Sequence, residues 1–331
     1  MKGLILCAGK GTRLRPLTHT NAKQLVPVAN KPILYYGLEA MRDAGITDIG
    51  IVVGDTENEI RDAVGTGDRW GIGVTYIKQD EPRGIAHAVH VSEKFIGGSP
   101  FVLYLGDNLL RDGIRGLVEE FNARKPNATI LLAEVEDPRH LGVAEVKNGR
   151  IVGLEEKPAK PKSNLAVVGV YIFDRNILDA VKRVKPSKRG ELEITDSIAL
   201  LLKKGLAVNY HVVTGWWKDT GKKDDILDAN RIVLENLEPS NRGEIRGNSE
   251  LSGRLVIEEG AVIDSSTVRG PAVIGRNTRV EHSYVGPFTS IEENVIISHS
   301  EVENSIIMCG SRIENLNVRL EESLIGRDAV V

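Results

Sequence analysis

The chain has 331 residues, with 43 Lys and Arg against 46 Asp and Glu, a net charge of −3, and 41% hydrophobic residues. That balance argues against a general nucleic-acid or anionic-membrane binder, and the length exceeds what one hydrophobic core usually supports, so two domains are expected. No apolar run is long enough for a membrane span, the opening MKGLILCAGKG lacks the apolar stretch of a signal peptide, and Cys7 and Cys309 form no metal-binding spacing, so a cytoplasmic protein is the expectation.

Residues 1 to about 220 alternate strand-like and helix-like stretches. The strand candidates in chain order are GLILCA (3–8), DIGIVVG (48–54), VTYIKQ (74–79), FVLYLGD (101–107), TILLAEV (129–135), GVAEV (142–146), RIVGLEE (150–156), VVGVYIF (167–173) and AVNYHVV (207–213). Several are nearly continuous apolar runs, the pattern of strands covered on both faces. Helices are expected at 33–45 and 194–205, each ending on glycine, and at 85–95 after Gly84. The alternation predicts an α/β domain with a mostly parallel, Rossmann-like sheet. An amphipathic connecting helix is expected at about 224–237, with Pro239 as the break after it. The expected boundaries are therefore 1–240 and 241–331.

Beyond residue 241 the helical period vanishes and a shorter one replaces it. Aliphatic residues fall at Val256, Val262, Val268, Ile274, Val280, Val285, Ile291, Ile297, Val302, Ile307, Ile313, Val318, Leu324 and Val330, in nine steps of six residues and four of five. A step near six resembles the hexapeptide repeat of left-handed parallel β-helices, in which each aliphatic residue points into a triangular prism. An antiparallel β domain with similar spacing is the alternative, and the five-residue steps make the register imperfect.

The stretch LCAGKGTRLRPLT (6–18) closes the first strand with flexible backbone and two guanidinium groups. It is neither the dinucleotide fingerprint, since position 14 is Leu, nor a Walker A loop. Gly9 and Gly11 can bring backbone N–H groups close to phosphate oxygens, and Arg13 adds an always-charged donor fork. Lys23 follows ten residues later in NAKQLVPVANKP. A tight turn with exposed arginines would also account for the glycines alone.

The ordered set of motifs carries a resemblance. GKGTRLRPLT and KQLVPVANKP, then GIAHAV (84–89), YLGDN (104–108), EEKP (155–158), RGELEITD (189–196) and WWKDTG (216–221), resemble the sugar-1-phosphate nucleotidyltransferases. Among these the pattern is most similar to the long-form glucose-1-phosphate thymidylyltransferases, which carry an added C-terminal left-handed β-helix. The resemblance covers essentially the whole chain. It implies attack of a glucose 1-phosphate oxygen on the α-phosphorus of dTTP, with pyrophosphate leaving and Mg2+ as the ion.

What the resemblance implies for single residues follows. Leu6, Ala8, Gly9, Gly11, Thr12 and Arg13 would line the nucleotide, with Arg13 stabilising the departing pyrophosphate and Lys23 on phosphate. Gln79 would read the base and Gly84 would let it lie against backbone; an amide presents one donor and one acceptor, which suits the imide edge of thymine or uracil. Asp107 and Asp219, each after an apolar or aromatic run and before a turn, would hold the metal, although GDN alone also suits an Asx turn. Lys157 would hold the sugar phosphate and Glu156 the sugar hydroxyls, with Gly142 and Val167 lining the pocket. A glutamate beside a lysine can also be a structural ion pair. Leu141 departs from the Tyr that many short-form relatives carry, and Cys7 reads as core.

Three activities remain open at this level. The first is the thymidylyltransferase, with a UTP-using enzyme beside it, because one methyl group discriminates by only about 1–3 kcal/mol. The second adds an acyltransferase in the β-helix with His282 or His299 as base. The third is a non-catalytic regulatory relative, which the retention of Arg13, Lys23, Asp107 and Asp219 disfavours. Small-molecule substrates and a homo-oligomer are expected, with no nucleic acid or membrane partner.

Overall fold

The computed structural model describes every residue except Thr20. The chain divides into two compact units: Met1–Gly11, Asn21–Leu25 and Leu34–Asp219 form the first, and Thr12–Thr20, Val26–Ile33 and Thr220–Val331 the second.

The first unit is built on a nine-stranded sheet. Strand Lys2–Leu6 pairs in parallel with Asp48–Val53 on one side and Phe101–Leu105 on the other, and Gly73–Lys78 extends the parallel run beyond Asp48–Val53. Strand Leu165–Phe173 then runs antiparallel to Phe101–Leu105, to Ala128–Glu134 and, through one residue pair, to Gly142–Lys147, which forms a hairpin with Arg150–Glu156. Val208–Val212 returns to parallel pairing on Ala128–Glu134. The parallel region thus lies in the N-terminal half, where helices cross between strands. One antiparallel pair is a hairpin closed by the short turn Asn148–Gly149; the others in this sheet are made by Leu165–Phe173 with strands distant in sequence.

Both faces of this sheet are covered, as the apolar runs require. Ile5, Val102, Tyr104 and Ile172 face a core that includes Leu34, Leu38 and Met41 of helix Ile33–Asp43 and Phe121 of helix Arg115–Arg124. Their strand neighbours Leu4, Phe101, Leu103 and Phe173 face a second core with Ala88 and Val89 of helix Ile85–Val91 and Ile198 and Leu201 of helix Ile194–Lys203. Each such side chain stabilises the fold by about 1.5–3 kcal/mol on burial, and strand alternation divides the sum between the two layers.

The second unit contains three parallel sheets of six, five and five strands, the coil of a left-handed β-helix. Stacked partners such as Val256 and Val273, or Val262 and Arg279, lie 17 residues apart, while Ile291 and Ile307 lie 16 apart and Val302 and Leu320 lie 18 apart, so a coil takes 16 to 18 residues. Two of the five-residue steps are therefore regular: the buried residues Ile263, Val280 and Ile297 precede Val268, Val285 and Val302 by five at one recurring corner, whereas the step from Val302 to Ile307 falls where the coil shortens to 16 residues, Ile291 pairing with Ile307. That corner turns through Ser265, His282 and His299, with φ of 48°, 47° and 48°.

The expected register holds from Val268 to Ile313 and needs correction at both ends. Ile257 and Ile263 point inward, at 1% and 0% exposure, while Val256 and Val262 are only partly buried. Alternation forces this, because Leu255 and Ile257 both belong to the core and flank Val256. Val318 and Val330 are 72% and 75% exposed; after Ile313 the residues packed on the core are Leu316, Leu320 and Ile325, in place of the expected Val318 and Leu324.

Helix Lys223–Leu234 belongs to this unit and is tied to it by Asn230, which is fully buried. Its Oδ1 accepts from the Ala29 N–H at 2.8 Å and from Ser290 Oγ at 2.6 Å, and its Nδ2 donates to the Phe288 carbonyl at 3.0 Å. No helix among the described residues is long and apolar enough to cross a membrane.

Candidate active site

The parallel strands of the first unit end along one edge of the sheet. There Leu6 lies beside both Val52 and Leu105. The loop Cys7–Gly11 leaves from Lys2–Leu6; Asp107 follows its neighbour Phe101–Leu105, and Gln79 follows Gly73–Lys78, which lies beyond Asp48–Val53 on the other side. Open α/β sheets gather ligands at this edge. Leu6 and Ala8 are partly buried beneath the loop, and Gly9 is exposed.

Lys23 connects the loop to Asp107. Its ammonium donates to Asp107 Oδ2, and its stem passes so close to Gly9 that a Cβ there would lie 3.2 Å from Lys23 Cε. Asp107 is 8% exposed. Burial pushes its carboxyl up, but the Lys23 charge and hydrogen bond, with that of Asn108, outweigh this and hold it below the usual carboxylate range. Asp219 arrives on the short strand Trp217–Asp219, antiparallel to Asn108–Leu110, and its register partner is Asn108. The two carboxylates expected to share an ion therefore stand one register position apart.

Asn108 was not anticipated. It is 2% exposed, donates to Asp107 Oδ1 at 3.2 Å, and accepts from Trp217 Nε1 at 2.6 Å and the Gly169 N–H at 3.3 Å. It orients Asp107 and anchors the strand that carries Asp219. Gln24 was also missed: it is 1% exposed, and its Oε1 is buried with no hydrogen-bond partner. That orphan acceptor, next to Lys23 in sequence, marks a further candidate ligand contact.

At the other flank, Gln79 is 5% exposed, and its Nε2 lies 2.9 Å from His87 Nδ1 and 3.5 Å from the Gly84 carbonyl. Gly84 has φ +105°, and a Cβ on it would lie 2.5 Å from the Leu192 carbonyl oxygen, so no other residue fits.

Gly142, Glu156 and Val167 converge further along the unit. Gly142 and Glu156 are cross-strand partners, and a Cβ at Gly142 would lie 3.2 Å from Glu156 Oε2 and 3.4 Å from Val167 Cγ2. Glu156 accepts from Thr195 Oγ1 at 3.1 Å and faces Arg189 at 3.5 Å; Arg189 also pairs with Glu191 and the buried Glu193. Burial, with Glu193 nearby, raises the Glu156 carboxyl above its ordinary value despite Lys157, Thr195 and Arg189. Lys157 is exposed with φ +44°, and its N–H is held by the Leu141 carbonyl at 3.1 Å. The RGELEITD stretch carried this acidic and basic net in sequence, but only its motif order, not its members, was read.

Thr12 and Arg13 belong to the second unit, exposed on the short 3-10 turn Thr12–Leu14 whose Leu14 is buried. There Arg13 packs over Gly221, where a Cβ would lie 2.7 Å from its Nη2. In the same unit the rings of His282 and His299 lie 5.0 Å apart between centroids, tilted at 32°, and line an open groove of about 610 Å3 with Tyr284 and Glu301. Cys7 is fully buried, and burial pushes its thiol far up, which makes it core and unreactive.

A family profile described as nucleotidyl transferase matches residues 2–236. A glucose-1-phosphate thymidylyltransferase of Streptomyces griseus is 54% identical over 285 residues, covering 86% of this chain and 80% of the relative. Another of the same name from Streptomyces antibioticus is 52% identical over 286 residues, with 86% and 80% covered. Among solved structures, a Bacillus anthracis protein assigned as a glucose-1-phosphate thymidylyltransferase, in complex with a sucrose, superimposes with a TM-score of 0.68 at 40% identity, covering 73% of this chain and 98% of its own.

Proposed function

The chain belongs to the nucleotidyl transferase family, and from that premise we propose that it transfers a thymidylyl group from dTTP to glucose 1-phosphate, giving dTDP-glucose and pyrophosphate. The observation that supports the reading is the register of Asp219 opposite Asn108, the residue after Asp107, at the strand edge bearing the glycine loop.

A phosphate oxygen of the sugar attacks the α-phosphorus in line, and the bond to the β-phosphate breaks. Both reactants are anions, so the chain's task is placement and charge neutralisation. Leu6, Ala8, Gly9, Gly11 and Thr12 cradle the nucleotide by backbone. Lys23 and Arg13 take phosphate charge, Arg13 on the departing pyrophosphate. Gln79 and Gly84 receive the base. Lys157 holds the sugar phosphate, while Glu156, Gly142 and Val167 enclose the sugar.

Asp107 and Asp219 would hold a divalent cation, Mg2+ in this reading. The fit rests on donor chemistry: both offer only oxygen, one is buried and held ionised, and hard cations prefer such ligands. Among the described residues no cluster of three or more His, Cys, Asp or Glu gathers for a metal, so phosphate oxygens and water would complete the shell. When bound, the ion neutralises triphosphate charge at the α-phosphorus.

Residues 1–240 are the catalytic portion in this reading, and the coil of 241–331 is an assembly or regulatory element of a cytoplasmic homo-oligomer. From Ile257 to Ile313 the inward residues follow one another at steps of five or six, with no inserted acceptor loop between them, which weighs against acyl transfer at His282 or His299. The test is a panel of nucleoside triphosphates against several sugar 1-phosphates, read as pyrophosphate release with Mg2+. dTTP with glucose 1-phosphate is expected to give the highest kcat/KM, and a pair without dTTP leading would overturn the assignment.

A further inference from the structure

We propose that His87 is a specificity-determining positioning residue: it pins the Gln79 amide with its nitrogen turned inward, so that only the amide oxygen meets the base. The inference rests on the reading of Gln79 as the base contact and extends it to a residue that touches no substrate.

Gln79 follows the strand Gly73–Lys78, and His87 lies in the first turns of helix Ile85–Val91. Gly84 sets their separation, because its backbone conformation and its approach to Leu192 fix the start of that helix. Gln79 Nε2 has two hydrogens. One points to His87 Nδ1 at 2.9 Å and the other to the Gly84 carbonyl at 3.5 Å.

A carbonyl oxygen only accepts, so the Gly84 contact requires the amide nitrogen, not its oxygen, on this side. The contact to His87 then requires Nδ1 to be the unprotonated acceptor of a neutral ring, with the proton on Nε2. Burial first, then Arg83 and His90, lowers the imidazole below its ordinary value, against the opposing pull of Glu81. The environment therefore favours the form that accepts. With both amide hydrogens engaged, Oε1 is the end left to the ligand, and it takes no hydrogen bond from the described residues.

An acceptor in that position selects a base by what it offers at N3. Thymine and uracil carry N3–H and donate to it. Cytosine presents an unprotonated N3 and meets it lone pair to lone pair. A free amide would flip and read cytosine equally well; an amide held by His87 does not. The device therefore discriminates imide bases from cytosine and is blind to the thymine methyl.

The test compares His87→Ala, which removes the acceptor but favours helix, with His87→Asn, whose side-chain oxygen replaces it near the same place. Initial rates of pyrophosphate release are measured with dTTP, UTP and dCTP at saturating glucose 1-phosphate. In His87→Ala the KM for dTTP rises and the dTTP-to-dCTP preference narrows by roughly tenfold, the effect of one orphaned buried hydrogen bond. Its kcat and its KM for glucose 1-phosphate stay near wild type, and His87→Asn recovers most of the preference. If His87→Ala keeps the full preference, or His87→Asn fails as badly as Ala, the positioning role is overturned while the thymidylyl reading stands. A wild-type protein that prefers dTTP over dCTP by no margin would overturn the Gln79 reading itself, and this inference with it. Should His87→Ala fold poorly by its melting curve, His87→Gln, which keeps a polar helix residue of different reach, serves as the second acceptor-displaced variant, with the same narrowing expected.

Discussion

The ammonium of Lys23 donates to the carboxylate of Asp107, so the residue assigned to phosphate and the residue assigned to the metal are each other's partner. Their side chains are 16% and 12% exposed, and a buried charge without a partner is costly. Lys23 therefore keeps Asp107 ionised, and each must exchange this contact for a stronger one when a triphosphate and a cation arrive.

Lys23→Met separates the two roles. Loss of one charge on the transferring phosphate should lower kcat by about 10²-fold or more. Without the Lys23 contact, Asp107 should bind Mn2+ more tightly in the absence of nucleotide, because that ammonium no longer competes. Electron paramagnetic resonance of free Mn2+ reads the second effect independently of turnover; unchanged or weaker Mn2+ binding would refute the exchange.

Asp107→Asn and Asp219→Asn should each cut pyrophosphate release by at least about 10²-fold at fixed Mg2+, with partial recovery only at much higher Mg2+. Chelation should silence the wild type and return its rate when Mg2+ is restored. If either amide variant keeps wild-type turnover, that residue is not a metal ligand.

Glu156 supplies a pH test. Its native carboxyl titrates above the ordinary value, so the native state favours the protonated form. That contribution to stability is present below the unfolded pKa and is lost as pH rises through the raised native one. Glu156→Gln should therefore gain thermal stability relative to wild type at pH 8 and much less at pH 5, while its KM for glucose 1-phosphate rises. Melting curves at the two pH values decide it: an equal gap at both means the raised titration carries no stability.

Asn230→Leu removes three hydrogen bonds at once and leaves the Ala29 N–H, the Ser290 hydroxyl and the Phe288 carbonyl to find other partners. At about 1–3 kcal/mol for each orphaned buried group, the second unit should unfold several degrees earlier, seen as a lower midpoint in denaturation. Asn230→Asp keeps the two accepted bonds and loses only the one to Phe288, so it should fall between; equal midpoints for all three proteins would show that Asn230 ties nothing.

Much of this molecule could be read along the chain because it is written there locally. Apolar runs such as FVLYL, helix ends on glycine and a packing residue every five or six positions follow from bond geometry within a few residues. They suffice for an α/β unit whose sheet is covered on both faces, followed by a coil, and the motif order is enough for the family. Tertiary structure decided what depends on which distant segments become neighbours. Lys23 and Asp107 are 84 residues apart and Trp217 and Asn108 are 109 apart; no local pattern announces either pair, because strand adjacency and register are set by the packing of the whole sheet. The one-residue shift that turns Ile257 inward in place of Val256 has the same origin. Both residues are aliphatic, and only contact with the next coil determines which of them is inside.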